Sequence, residues 1–180
     1  MQRRELHIAD ETVRVTLAVF KNVANAEELL RAYNEKTIGG DPDMRRFFLL
    51  LDGQLIFSDN HILHSLYRAY HNLLTKRRVT RNVVLEVFFF LSAHENINEC
   101  LRQYQVRESS SSVIYVGVNI PDDEVISFTN LINGEQTGVD DIRFLRDERQ
   151  IMQNFKCAGE VANLERFIYH TIASKKVNLG

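Results

Sequence analysis

One stretch governs what this chain can fold into. Residues Asp59 to Asn96 read in order as an amphipathic helix, a knot of cations, a strongly apolar run and a turn. Ile62, Leu63, Leu66, Tyr70, Leu73 and Leu74 fall at helical spacing, with Ser58 or Asp59 ahead of them to cap the free N–H groups. This predicts a helix that buries one face. The run Val83 to Leu91 is β-branched and aromatic, broken only by Glu86, and too apolar to alternate cleanly. That pattern predicts a strand covered on both sides, the centre of a sheet. Between the two, Lys76, Arg77, Arg78 and Arg81 cluster where a helix C-terminus favours positive charge and a helix-to-strand turn keeps it at the surface. Such a knot invites an anion.

The remaining elements alternate around this stretch. Thr12 to Phe20 predicts a first strand, Asn22 or Asn25 caps a helix through Tyr33, and Thr37 to Asp43 is a breaker loop holding Gly39, Gly40 and Pro42. Phe47 to Leu51 predicts a second strand. After a turn at Ser92 to Asn96 comes a short helix with Ile97, Leu101 and Tyr104, then a serine loop at 109–112 and a strand at Val113 to Val118. Pro121, Asp122 and Asp123 start a helix expected to run through Ile132, with Gly134 closing it. The polar segment 135–145 is expected to return Ile142 and Phe144 to the core. Asp147 begins a helix with Ile151, Met152 and Phe155, and Gly159 separates it from a last helix near Asn163. There Leu164, Phe167, Ile168, Tyr169 and Ile172 occupy more than one face, more apolar surface than one neighbour needs, which points to a partner. The sum is a mixed α/β domain, residues 1–180, with a central β-sheet packed by several helices.

Composition narrows the function classes. With 180 residues, 44% hydrophobic and only 2 prolines, the chain fits one packed core. A net charge of −2, from 22 basic and 24 acidic residues, disfavours coating of nucleic acid by bulk charge, so polyanion contact must be local. The N-terminal MQRRELHIAD lacks the apolar run of a secretory signal, and no window approaches the roughly 20 apolar residues a bilayer span needs. An intracellular protein without a membrane partner is the expectation. Cys100 and Cys157 are isolated and read as reduced packing residues.

Catalytic signatures are missing from the sequence. His61, His64 and His71 share a predicted helix face with Arg68, and the HxxH spacing offers two imidazoles to a metal, yet no Cys or carboxylate recurs at ligand spacing. A solvated helix face is the expectation. His94 and His170 have no neighbour that names a role. GxSxG, GxGxxG and Walker patterns do not occur, and Asp122, Asp123, Glu124, Asp140 and Asp141 sit at helix starts, where acids serve caps and dipoles. No catalytic residue, metal or cofactor is expected. A small enzyme with an unrecognised histidine or metal site is the alternative.

At the basic knot the chain resembles a known family. The segments KRRVTRN, LSAHENINECLRQYQV and VRVTLAVFKNVANAEELL are similar to those of the PRPK-binding protein family, the kinase-partner subunit of the KEOPS (EKC) complex. The order of elements agrees as far as the last helix. Ala93 stands where the family has proline, and Tyr104, Gln105 and Val106 replace its Phe-Gly-Ile ending. The resemblance implies a non-catalytic subunit, cytoplasmic and nuclear, that binds the small lobe of a PRPK-type atypical kinase and the 3′ CCA end of tRNA. It meets other KEOPS subunits only indirectly, and supports threonylcarbamoyladenosine modification of tRNA. On that footing Lys76, Arg77, Arg78 and Arg81 are expected to meet phosphates, Thr80 and Asn82 to add neutral hydrogen bonds, and Ile168 and Ile172 to bind the kinase.

Overall fold

A computed structural model describes residues 1–37, 44–158 and 163–175. Most of the breaker loop at 37–43 and the separator Gly159 lie outside the described residues. Among the described residues the elements are β1 (Gln2–Ile8), β2 (Glu11–Lys21), α1 (Ala26–Thr37), β3 (Phe47–Asp52), α2 (Asp59–Leu74), α3 (Val83–Leu91), α4 (Ile97–Tyr104), β4 (Val113–Val118), α5 (Asp122–Thr129), β5 (Glu135–Thr137), α6 (Ile142–Leu145), α7 (Glu148–Asn154) and α8 (Leu164–Ser174).

The sheet is antiparallel throughout, in the order β1-β2-β4-β3, with β5 pairing the far end of β2 on the edge that β1 occupies. Val15 lies opposite Val118 and Phe20 opposite Val113. Alternation assigns the two faces. Val13, Val15, Leu17 and Val19, with Leu49, Leu51, Ile114 and Val116, join a core shared with α2, α3 and α8. Ala18, Phe20, Leu50, Val113 and Tyr115 face the other way, onto Ala26 and Leu29 of α1 and Val125 and Phe128 of α5. The mixed α/β class is as expected, built as helices on both faces of one sheet.

The centre of the sheet is β2 and β4, not Val83 to Leu91. That run is helical: Asn82 caps it by accepting from Leu85 N at 2.9 Å, and apart from Leu85 every residue from Val83 to Leu91 is buried. A helix enclosed on all sides needs apolar residues all round, so it has lost the polar stripe that identifies a surface helix. Two further expectations change. Phe144 is 72% exposed, with the Arg143 guanidinium 4.6 Å from its ring centroid, while Ile142 alone of that pair reaches the core. The helix after Pro121 stops at Thr129. The serine loop is fixed by a buried carboxylate: Asp52 accepts from Arg107 Nη2 at 2.8 Å, Ser110 Oγ at 2.7 Å and Gln54 N at 3.0 Å.

Candidate nucleic-acid interface

The basic corner begins with how α2 ends. Lys76 has a φ of 56°, and the N–H groups of Lys76 and Arg77 turn back onto the carbonyls of Leu73 (3.3 Å) and Asn72 (2.8 Å). This is a Schellman closure with lysine at the left-handed position where glycine is usual. The chain then passes over Glu86, one turn into α3 and fully buried. Its carboxylate accepts from Asn72 Nδ2 (2.9 Å), Val79 N (3.2 Å), Thr80 N (3.0 Å) and Thr80 Oγ1 (2.8 Å). Arg78 Nη1 donates to the Arg81 carbonyl at 3.1 Å, closing the loop on itself.

The expected ligands divide into two groups. Lys76, Arg77 and Arg81 are exposed, and none forms an ion pair among the described residues. Several cations elsewhere are matched, as in Arg3–Asp122, Arg4–Asp59, Arg46–Glu124 and Arg107–Asp52, while others such as Arg149 and Arg166 form no ion pair among the described residues; the corner differs in gathering three within six residues. Thr80 and Asn82, expected to offer outward hydrogen bonds, work inward. The Thr80 hydroxyl lies 2.8 Å from both Glu86 Oε2 and the Asn82 carbonyl, and the Asn82 side-chain oxygen is the α3 cap.

Beside the loop opens a cleft of about 650 Å³ that sequence reasoning did not find, because its walls come from separate elements. Val79, Leu85 and Phe89 form part of the apolar lining, facing Ile97 and Leu101 of α4, while Thr80, Arg81, Glu95 and Asn98 supply the polar groups. Behind Phe89, the Lys175 ammonium sits 3.7 Å from the ring centroid. It donates to the carbonyls of Phe89, Ser92 (2.8 Å) and His94 (2.5 Å). Burial lowers its pKa to about 8. The end of α8 is thereby tied to the end of α3, against the cleft wall.

The histidines do not converge. His61 is fully buried rather than solvated, its Nδ1 accepting from Phe57 N at 3.2 Å and its Nε2 facing the Leu91 carbonyl at 2.9 Å. Desolvation lowers its pKa to about 4, so the ring is neutral. His64 stacks on Tyr169 with centroids 4.5 Å apart, and His71 lies flat beside Tyr67. Among the described residues no group of three or more His, Cys, Asp or Glu side chains is placed to hold a metal ion. No helix among them is long and apolar enough to cross a membrane.

The last helix also differs from expectation. Ile168 and Ile172, expected to bind the kinase, are 0% and 1% exposed and pack into the core with α2 and α3. The large apolar group that α8 shows to solvent is Phe167, 40% exposed, and Tyr67 on the adjoining α2 is 42% exposed.

The family described as kinase binding protein CGI-121 matches residues 20–176, and the chain belongs to that family. Similar proteins include the EKC/KEOPS complex subunit cgi121 of Aspergillus fumigatus, 29% identical over 109 residues, 61% of this chain and 54% of that protein. The EKC/KEOPS complex subunit CGI121 of Yarrowia lipolytica is 25% identical over 161 residues, covering 88% of this chain and 89% of its own length. The EKC/KEOPS complex subunit TPRKB of Danio rerio is 26% identical over 147 residues, 79% of this chain and 78% of that protein. The chain spans about half the length of several of the fungal relatives it matches, such as those of Aspergillus fumigatus, Coccidioides immitis and Aspergillus terreus.

Proposed function

We propose that this chain is a non-catalytic subunit of a KEOPS-type assembly, working in cytoplasm and nucleus. It docks an atypical kinase and holds the single-stranded 3′ CCA end of tRNA to support threonylcarbamoyladenosine modification. The observation that carries the tRNA half is the union of three exposed, unpaired cations with a mostly apolar cleft at Arg81. Cations alone attract any phosphate chain, whereas an apolar slot flanked by an aromatic ring and polar groups suits an unstacked base.

The test is tRNA binding at near-physiological salt with the fold verified. Arg81→Glu and removal of CCA from the tRNA are each expected to weaken binding, and together to add little further loss. Each cation lost is expected to lower the salt slope by about 0.7 to 0.9. Equal affinity of wild type and Arg81→Glu for intact tRNA would return the corner to a solvated helix end.

Kinase docking is assigned to the outer face of α8 and the adjoining α2. The family description supports a kinase partner, and Phe167 and Tyr67 are the exposed apolar groups there. Phe167→Glu is expected to leave the monomer folded and abolish co-purification of the kinase. Ile168→Glu and Ile172→Glu are expected to unfold the monomer, because each buries an unpaired charge. A folded Phe167→Glu variant that still binds the kinase at wild-type strength would remove α8 from the interface.

A further inference from the structure

We infer that Glu86 is the positioning residue of the tRNA-binding corner: a buried carboxylate that gives the cationic loop its shape, although its own charge opposes the ligand. The inference rests on the reading of the corner given above and concerns what makes that corner selective.

Every group bonded to Glu86 belongs to the loop or to the helix that launches it. Val79 N and Thr80 N point inward because the carboxylate accepts them, at 3.2 and 3.0 Å, and the Thr80 hydroxyl joins at 2.8 Å. Asn72 is bound twice, through its side chain to Glu86 and through its carbonyl to Arg77 N. With 79 and 80 anchored, the neighbouring Arg81 is held at the cleft that Val79, Thr80 and Leu85 help to line. Buried carboxylates are costly unless fully hydrogen-bonded, and this one collects charge-assisted donors from both sides of the loop. A solvated cluster of cations needs no such brace.

Coulomb's law and positioning predict opposite signs for one substitution. Glu86→Gln makes the corner more positive, so attraction alone tightens anion binding. The amide keeps a single acceptor oxygen, so its NH2 faces either Asn72 Nδ2 or the Val79 and Thr80 N–H groups, and the bonds that remain lose their charge assistance, which loosens the loop. The measurement compares full-length tRNA and the same tRNA lacking CCA, bound by the wild type, Glu86→Gln, Thr80→Val and Arg81→Glu, each checked by thermal unfolding.

Positioning predicts that Glu86→Gln weakens intact tRNA by roughly five-fold or more, the size of one net hydrogen bond. The trimmed tRNA changes little, so the ratio between the two falls. A change in overall stability does not move that ratio. Thr80→Val, which keeps charge and bulk, is expected to lower it in the same direction and stands in if Glu86→Gln does not fold. An unchanged or raised ratio in the folded variants, while Arg81→Glu still weakens binding, overturns the role of Glu86 and leaves the tRNA site standing. No effect of Arg81→Glu overturns both.

Discussion

His61 Nε2 and the Leu91 carbonyl lie 2.9 Å apart, so the first turn of α2 is bonded to the last residue of α3 through a buried imidazole. With Phe57 N donating to Nδ1, the ring carries its proton on Nε2 and has no carboxylate in contact to stabilise a second one.

This bond makes the fold sensitive to acid. The folded pKa of His61 is about 4 against 6.5 for an unperturbed imidazole, so between those limits the unfolded chain binds more protons. Its contribution is fully present above pH 6.5 and is lost as pH falls toward 4, by up to about 3 kcal/mol. Urea unfolding across this range is expected to show a steeper loss for the wild type than for His61→Gln. Parallel slopes would mean that the imidazole charges without opening the core.

Lys76→Gly separates fold from binding. The lysine occupies a left-handed φ of 56°, a conformation glycine reaches without strain. The substitution is expected to leave stability unchanged or raise it by up to about 1 kcal/mol, while removing one unpaired cation. A stable variant with weaker tRNA binding and a shallower salt slope would match both expectations. A variant destabilised by more than 1 kcal/mol would show that the side chain packs.

Lys175→Met removes the donor for three carbonyls near the end of α3. The expected cost at pH 7 is about 1 to 3 kcal/mol, since these acceptors are part-buried and the methionine offers them nothing. Thermal unfolding checks the magnitude. No measurable loss would mean that water replaces the ammonium without cost.

At Gly134 an added Cβ would lie 2.9 Å from Val23 Cγ2 and 3.0 Å from the Lys21 carbonyl. Gly134→Ala is therefore expected to destabilise by about 1 to 3 kcal/mol, most visibly as faster exchange of the amide hydrogens where β5 meets β2. An unchanged melting temperature would mean the β2–α1 turn yields freely.

Most of the sheet was legible because β2, β3 and β4 carry β-branched or long apolar runs bounded by turn residues. The edge strand β1 was not, since Gln2 to Ile8 mixes charge with only two aliphatic residues and owes its conformation to pairing with β2. The α3 run misled for the opposite reason. A short stretch buried all round has no period to read, and only Asn82 ahead of it carried a helix-start signal. The cations of the corner were readable as charge. Glu86 broke an apolar run, yet its bonds join residues from 72 to 80, and Lys175 reaches the same neighbourhood from α8, relations that no local window contains.

The two edges of β2 also differ in time. Its seam with β1 closes through a tight turn, Ile8 opposite Glu11, and is available as soon as the hairpin leaves the ribosome. Its seam with β4 joins Val15 to Val118, so the middle of the sheet waits for α1, β3 and α2 to α4 to be made first. Until then β2 presents Leu17, Val19 and Phe20 without their final neighbours, and completing the sheet requires the closure of that long loop.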